Sequence, residues 1–172
     1  MSEQPERKAI WLKEDDYSKE GAYFITICTR DKSCVLGQIT TCDRLLPPVG
    51  DAPLGVPVVA LSKAGEIVKA YIENINYNAD YHVDSYVIMP NHIHLLLTIQ
   101  AGTPRAASPT KAVIPQIVNA LKSLSTKKCG IPLWQRGYYD NIIRDEQDYL
   151  SVWQYIGENP LKWTVDEYYS AY

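Results

Sequence analysis

The chain has 172 residues, which is enough for one domain with a substantial hydrophobic core. Seventeen basic residues against twenty acidic ones give a net charge of −3, which argues against a protein that coats nucleic acid through bulk positive charge. The N-terminal segment lacks the apolar core of a signal peptide, and no apolar run is long enough to span a bilayer. We therefore expect a soluble, cytoplasmic protein without a membrane partner.

The first half of the chain predicts two strands, a loop and a helix. Residues 22–29 are aromatic and β-branched and predict a strand, and residues 34–41 predict a shorter second strand. Residues 43–60 are rich in proline and glycine, which predicts a loop inserted into one domain rather than a linker between two domains. A helix is expected to begin at Ser62 as its N-cap, because apolar residues then recur at helical spacing up to residue 75.

The middle of the chain predicts two more strands and a second helix. Residues 83–89 and 92–99 are apolar strands separated by Pro90 and Asn91, which indicates a tight turn between them. Residues 114–124 place their apolar side chains on one side of a helix. Residues 133–144 are expected to be part strand and part turn.

With the short second strand left aside, the resulting order is strand, helix, strand, strand, helix, strand, helix. It contains no regular alternation of strands with helices and no internal repeat. It fits an α+β fold, a ferredoxin-like sandwich in which an antiparallel sheet carries helices packed on one face. We expect residues 1–172 to form a single domain, with the loop near 43–60 as an insertion.

The strand at residues 92–99 contains two of the three histidines in the chain. Alternate side chains of a strand point to the same face, so His92 and His94 should lie side by side while Ile93 points into the opposite layer. Two imidazoles on one face can each give a ring nitrogen to one cation. The alternative is a strand with two surface histidines, which the apolar flanks of the pair disfavour.

A last helix is predicted from Asp145 to Asn159, turning about 100° per residue. The stripe expected to face the core consists of Tyr149, Val152, Trp153 and Ile156. Tyr155 and Asn159 lie one turn apart at the margin of this stripe. A tyrosine at such a margin is partly sheltered and still reachable, which suits a nucleophile. Spacing alone does not single out Tyr155 among the thirteen tyrosines.

Three blocks of the sequence resemble one protein family. The run from Met89 to His94 (MPNHIH) resembles the HUH motif, histidine–hydrophobic–histidine, of the single-tyrosine transposases. The runs from Trp134 to Asp140 (WQRGYYD) and from Tyr155 to Pro160 (YIGENP) resemble the C-terminal motifs of the REP-associated tyrosine transposases within that superfamily. Residues 7–13 and 21–29 resemble the same branch. The resemblance covers most of the chain except the loop at 43–60 and the C-terminal tail.

The resemblance implies a function and a set of site residues. It implies a transposase or nickase that cleaves and rejoins single-stranded DNA through a 5′-phosphotyrosine intermediate, assisted by Mg²⁺ or Mn²⁺. By matching position it implies Tyr155 as the nucleophile and His92, His94 and Asn159 as the metal ligands. It implies single-stranded or hairpin DNA as the partner, and it allows either a monomer or a homodimer.

Six basic residues are candidates for contacts with DNA phosphates, because they line or flank the second helix and the WQRGYYD run. They are Lys111, Lys122, Lys127, Lys128, Arg136 and Arg144. A solvated face is the alternative interpretation of the lysines.

Two other functions stay open at this point. One is a domesticated protein that binds DNA hairpins without catalysis, which the acidic net charge and Gly157 favour. The other is a metal-dependent phosphodiesterase in which water is the nucleophile and Tyr155 is only structural.

Overall fold

The computed structural model describes residues 21–41, 56–100 and 113–170. The elements of these ranges are, in chain order, β1 (Gly21–Cys28), β2 (Gly37–Thr41), β3 (Pro57–Leu61), α1 (Lys63–Ile75), β4 (Tyr81–Ile88), β5 (His92–Ile99), α2 (Val113–Cys129), β6 (Tyr139–Ile143) and α3 (Glu146–Glu158). A 3₁₀ helix, Asn159–Val165, follows α3 directly. No helix within the described ranges combines the length and the apolar composition that crossing a membrane requires.

Four of the strands form one antiparallel sheet in the order β4-β5-β1-β6, while β2 and β3 pair with each other in a separate hairpin. The elements β1, α1, β4, β5, α2 and β6 therefore follow the β-α-β-β-α-β connectivity of the ferredoxin-like fold, with β5 and β1 at the centre of the sheet. The predicted α+β, ferredoxin-like class is confirmed.

The two faces of this sheet are covered by different elements. Ile25 of β1 and Ile93 of β5 point to one face and belong to the main hydrophobic core, which also takes in α1 and α2. The alternate residues Thr26, His92 and His94 point to the other face, where α3 and the segment after it pack. The sequence predicts helices on one face of the sheet. Helices α1 and α2 lie on one face, whereas α3 covers the opposite face.

Helix α3 buries a different stripe from the one predicted. Trp153 was expected to face the core, but 53% of its surface is exposed, and Ile156 is the one buried residue of the helix. At about 100° per residue, Trp153 lies about 60° from Ile156 on the side away from Tyr155. The buried face of α3 is therefore turned toward Tyr155 and Asn159.

Two element boundaries also differ from the sequence expectation. Strand β3 occupies the end of the predicted loop, where Pro57 pairs with Thr41 of β2. Proline is tolerated at this first position of a strand that has only one neighbour. Helix α2 continues past residue 124 to Cys129, and Gly130 then ends it with a left-handed backbone, φ 72°.

A close contact between Gly65 and the backbone of Leu36 fixes the start of α1. A Cβ atom at position 65 would lie 2.1 Å from the carbonyl oxygen of Leu36, which is itself held by the backbone N–H of Ser62 at 2.9 Å. We expect Gly65→Ala to lower the free energy of unfolding by about 2 kcal/mol or more, although alanine has the higher helix propensity.

The matched control is Gly157→Ala, because a Cβ atom at position 157 would meet no atom within 4 Å. This variant should raise the free energy of unfolding by up to about 1 kcal/mol through helix propensity alone. Urea denaturation of both variants measures the difference. Equal effects of the two substitutions would contradict the close contact at Gly65.

Candidate active site

The two histidines of β5 meet at their Nε2 atoms, which lie 3.1 Å apart. Strand β5 is flanked by β1 and β4, so the pair lies in the middle of the sheet. His92 is 0% exposed and His94 is 1% exposed. This burial rules out the alternative of two surface histidines.

Asn91 orients the ring of His92. The amide nitrogen of Asn91 donates to the backbone carbonyls of Tyr168 at 2.8 Å and Lys32 at 3.2 Å, so its side-chain oxygen faces Nδ1 of His92 at 2.8 Å. An amide oxygen can only accept, hence Nδ1 of His92 carries the proton. The lone pair of His92 is thereby placed on Nε2, toward His94.

Thr26 of β1 orients the ring of His94, which lies opposite it in the sheet register. The Thr26 hydroxyl is 2.8 Å from Nδ1 of His94 and can donate or accept there. When it accepts, both Nε2 lone pairs face each other and a cation between them would satisfy both. Adjacent ligands of an octahedral cation at about 2.1 Å stand about 3.0 Å apart, close to the separation of the two Nε2 atoms.

Burial lowers the pKa of both imidazoles well below the usual value for histidine. The positive charge of Lys32 adds to this effect at His92, and the neighbouring His92 adds to it at His94. Both rings are therefore neutral at neutral pH. A neutral imidazole is the form that binds a metal ion, so no proton has to be displaced from either Nε2 atom.

Asp166 brings a carboxylate to the same place, although the sequence analysis did not single it out. Ligand atoms of His92, His94 and Asp166 all lie within 4.8 Å of one another. The backbone N–H of Tyr168 donates to one oxygen of Asp166 at 2.7 Å, and burial raises the pKa of this carboxyl. An acidic residue within the aromatic C-terminal segment was the only sequence feature that could have indicated it.

Asn159 supplies a buried acceptor that has no partner among the described residues. Its amide nitrogen donates to Asp166 at 3.3 Å. Since a carboxylate only accepts, the Oδ1 atom of Asn159 must point elsewhere, and it is buried without a hydrogen bond. Asn159 keeps a helical backbone, φ −56° and ψ −43°, despite the proline that follows it. Asp166, the partner of Asn159, lies beside the imidazoles, and a buried amide oxygen without a partner is a donor that a divalent cation accepts, so the residues present fit a metal ion.

Tyr155 lies next to the histidine pair in the same chain. Its hydroxyl is 3.4 Å from Nε2 of His94, and its ring packs edge-on against Phe24 with centroids 5.9 Å apart. The side chain is 36% exposed, as a position at the margin of the buried stripe predicts. Burial and the negative charge of Asp166 raise the pKa of the phenol, which is therefore neutral at neutral pH.

The phenol opens onto a cleft of about 570 Å³ between β1, β6, α3 and the C-terminal segment. Lys32, Tyr139 and Tyr168 line this cleft together with Tyr155 and His94. The ring of Tyr168 also packs against His92, with centroids 4.7 Å apart. The cleft is large enough for part of a nucleotide chain to approach the hydroxyl of Tyr155.

None of the predicted DNA-binding residues that the structure describes lines this cleft. Those exposed at the surface are Lys127, Lys128, Arg136 and Arg144. Lys122 is partly buried, and its ammonium donates to the backbone carbonyls of Gln135 at 2.7 Å and Gly137 at 2.8 Å. Through these two hydrogen bonds the ammonium holds the chain before β6 in place. Burial lowers the pKa of Lys122. Lys111 falls outside the described residues.

We expect Asn159→Leu to separate metal binding from folding. The substitution keeps a similar volume and removes an acceptor without a partner together with the 3.3 Å hydrogen bond to Asp166, so the free energy of unfolding without metal should fall by no more than about 2 kcal/mol. Loss of the oxygen ligand should weaken Mn²⁺ binding by about 10-fold or more. Calorimetric titration with Mn²⁺ and urea denaturation without it measure the two effects. Unchanged Mn²⁺ affinity would remove Asn159 from the ligand set.

The sequence has relatives among bacterial proteins, although no family model matches it. A protein of uncharacterised function from Haemophilus influenzae is 34% identical over 182 residues, which cover 95% of this chain and 93% of that protein. The REP-associated tyrosine transposase of Escherichia coli is 24% identical over 98 residues, which cover 56% of this chain and 54% of that protein.

The fold has a solved counterpart as well. A structure described as a REP-associated tyrosine transposase bound to a REP hairpin superposes with a TM-score of 0.56 at 20% identity, covering 94% of this chain and 74% of that one. The ferredoxin-like fold is shared with that protein. With the histidine–hydrophobic–histidine motif on the central strand, the chain is similar in sequence and in fold to REP-associated tyrosine transposases.

Proposed function

We propose that the protein cleaves and rejoins single-stranded DNA by transferring a 5′-phosphate to Tyr155 and then to a 3′-hydroxyl. One observation carries the proposal: the phenol of Tyr155, two neutral imidazoles and an unpartnered amide oxygen converge within one chain. A neutral imidazole pair with an oxygen donor suits a cation that polarises a phosphate. A phenol beside it suits the attack on phosphorus.

The proposed cleavage exchanges one phosphodiester for another. The Tyr155 oxygen forms a bond to phosphorus while the bond from phosphorus to the 3′-oxygen breaks. The proton of the phenol ends on the departing 3′-oxygen, so the products are a 5′-phosphotyrosine and a free 3′-hydroxyl. Attack by a second 3′-hydroxyl reverses these steps and releases Tyr155. No external energy source is needed, because the number of phosphodiester bonds is constant.

The cation would be Mg²⁺ or Mn²⁺, held by His92, His94 and Asn159 with Asp166 as a further ligand. When bound, it draws negative charge from the phosphate oxygens and favours ionisation of a nearby phenol. The protein's own contribution is orientation: Asn91 and Thr26 hold the two imidazole rings, and Phe24 supports the edge of the Tyr155 ring. Without the cation, burial and the negative charge of Asp166 raise the pKa of Tyr155 and keep its phenol protonated.

The proposed partner is hairpin DNA with a single-stranded flank. The solved relative is described as bound to a REP hairpin, which supports this class of partner here. The exposed Lys127, Lys128, Arg136 and Arg144 are proposed to contact its phosphates. Tyr155 and the histidines meet within one chain, so the chemistry does not require a homodimer.

A doubly labelled oligonucleotide tests the proposal. A hairpin with a single-stranded flank carries one dye at its 5′ end and another at its 3′ end, and the products formed with Mn²⁺ are separated on a denaturing gel. A 5′-phosphotyrosine leaves the 3′ dye attached to the protein and releases the 5′ dye on a shorter strand.

The other functions give different gels. Binding without a covalent product would favour the domesticated hairpin-binding protein. Two free fragments without a protein adduct would favour hydrolysis by water. A 5′ dye attached to the protein would contradict the proposed polarity of cleavage.

A further inference from the structure

Lys32 enters the cleft on a turn with an uncommon backbone conformation. Asp31 and Lys32 both have positive φ angles, 55° and 52°, and neither is glycine. Two consecutive left-handed residues with side chains are unfavourable, and such strain persists only where the surroundings impose it. This turn follows β1 immediately, beside the histidine pair.

The hydrogen bonds that hold this turn come from the site itself. The carbonyl of Lys32 accepts from the amide nitrogen of Asn91 at 3.2 Å and from the hydroxyl of Ser170 at 3.2 Å. The N–H of Lys32 donates to the carbonyl of Thr29 at 3.2 Å. Because Asn91 also orients His92, the backbone position of Lys32 is fixed relative to the imidazole pair.

The ammonium of Lys32 rests over an aromatic ring and forms no ion pair with a carboxylate of the described ranges. Its Nζ lies 5.3 Å from the centroid of the Tyr168 ring, which packs on His92. Among the described residues no carboxylate forms an ion pair with Lys32. Lys162, in contrast, pairs with Glu158 at 2.6 Å. Lys32 is thus a cation that faces the cleft and is available to a ligand.

We propose that the ammonium of Lys32 binds the scissile phosphate next to Tyr155, an inference that rests on the proposed function. Among the residues that line the described cleft, Lys32 is the one with a positive charge, while Asp140 and Glu167 are acidic. A phosphodiester that enters this cleft carries a negative charge, and it needs a positive charge on the side of the cleft away from the histidine pair. Lys32 would be a catalytic residue, because it contacts the oxygens on which negative charge grows during the transfer.

The test compares Lys32→Met, Lys32→Arg and Lys63→Met. Lys63 is an exposed lysine at the start of α1, the helix on the opposite face of the sheet, and provides a control with the same change in charge. At saturating DNA, Lys32→Met should lower the single-turnover rate of adduct formation by about 10²–10³-fold. Lys32→Arg should restore most of this rate, and Lys63→Met should leave it unchanged.

A second readout separates a phosphate contact from a structural role. An oligonucleotide with a neutral methylphosphonate at the scissile position should bind the wild-type protein more weakly than the natural strand. In the Lys32→Met variant this penalty should be smaller, because only the contact between the phosphate and the cation at the histidine pair is left. For the natural strand, the magnitude of the slope of log K against log salt should be smaller by about 0.7 in Lys32→Met than in the wild type, which is the value for one contact with single-stranded nucleic acid.

The outcomes distinguish this inference from the proposed function. Suppose that the wild-type protein forms the adduct and that Lys32→Met has the same rate and the same methylphosphonate penalty. This result would overturn the role of Lys32 and leave the proposed function standing. A wild-type protein that forms no adduct would overturn the proposed function and this role with it. A slower variant that keeps the full methylphosphonate penalty would show that Lys32 acts only through structure.

Discussion

Tyr155→Phe should abolish the covalent protein–DNA adduct, lowering its rate of formation by at least about 10³-fold. The variant keeps the aromatic ring that packs against Phe24 and removes only the hydroxyl, which lies 3.4 Å from His94. Because this oxygen is the proposed nucleophile, the variant lacks the atom that forms the bond to phosphorus. Affinity for the DNA should stay within about twofold of the wild type, since one partly exposed hydroxyl contributes little to binding.

The matched control is Tyr139→Phe. Tyr139 lines the same cleft and is 43% exposed, compared with 36% for Tyr155. The Tyr139→Phe variant should form the adduct at the wild-type rate. An adduct that persists in Tyr155→Phe and disappears in Tyr139→Phe would move the nucleophile to β6. DNA cleavage that survives in both variants would favour water as the nucleophile.

His94→Gln should remove the stabilisation of the folded protein by Mn²⁺. A cation at 100 times its dissociation constant raises the free energy of unfolding by about 2.7 kcal/mol when it binds only the folded chain. His94 gives one of the two Nε2 atoms that meet at 3.1 Å, and glutamine cannot place a nitrogen lone pair there. We expect the increase in melting temperature with Mn²⁺ to vanish, together with adduct formation.

His82→Gln serves as the control for this experiment. His82 lies at the start of β4, pairs with Asp84 and takes no part in the site, so the response to Mn²⁺ should be that of the wild type. If His94→Gln keeps the wild-type response to Mn²⁺, the ion binds elsewhere and the paired imidazoles have another role.

The features of the site that follow from local patterns could be predicted from the sequence. A period of two in β5 was sufficient to place His92 and His94 on one face. Helical periodicity placed Tyr155 and Asn159 one turn apart and Tyr155 at the margin of the buried face, whereas Asn159 is buried. The order of strands and helices was likewise sufficient for the ferredoxin-like class.

The remaining features depend on tertiary contacts that no local pattern encodes. Asp166 and Tyr168 reach the histidines because the chain after α3 folds back over β5. Lys32 reaches the cleft through a turn whose left-handed backbone is imposed by Asn91 and Ser170, each far from it in sequence. Trp153 is exposed because α3 turns its buried face toward the site, which periodicity could not reveal.

Under the proposed function, one ion would bind both imidazoles next to the phenol of Tyr155. Diffraction at the manganese absorption edge, from crystals grown with Mn²⁺, locates such an ion directly. We expect an anomalous peak bonded to Nε2 of His92 and Nε2 of His94, with Asn159 or Asp166 as an oxygen ligand and the hydroxyl of Tyr155 adjacent. The protein in these crystals must form the adduct in Mn²⁺. If its ion is then bound away from both histidines, the paired imidazoles do not hold the ion of the reaction.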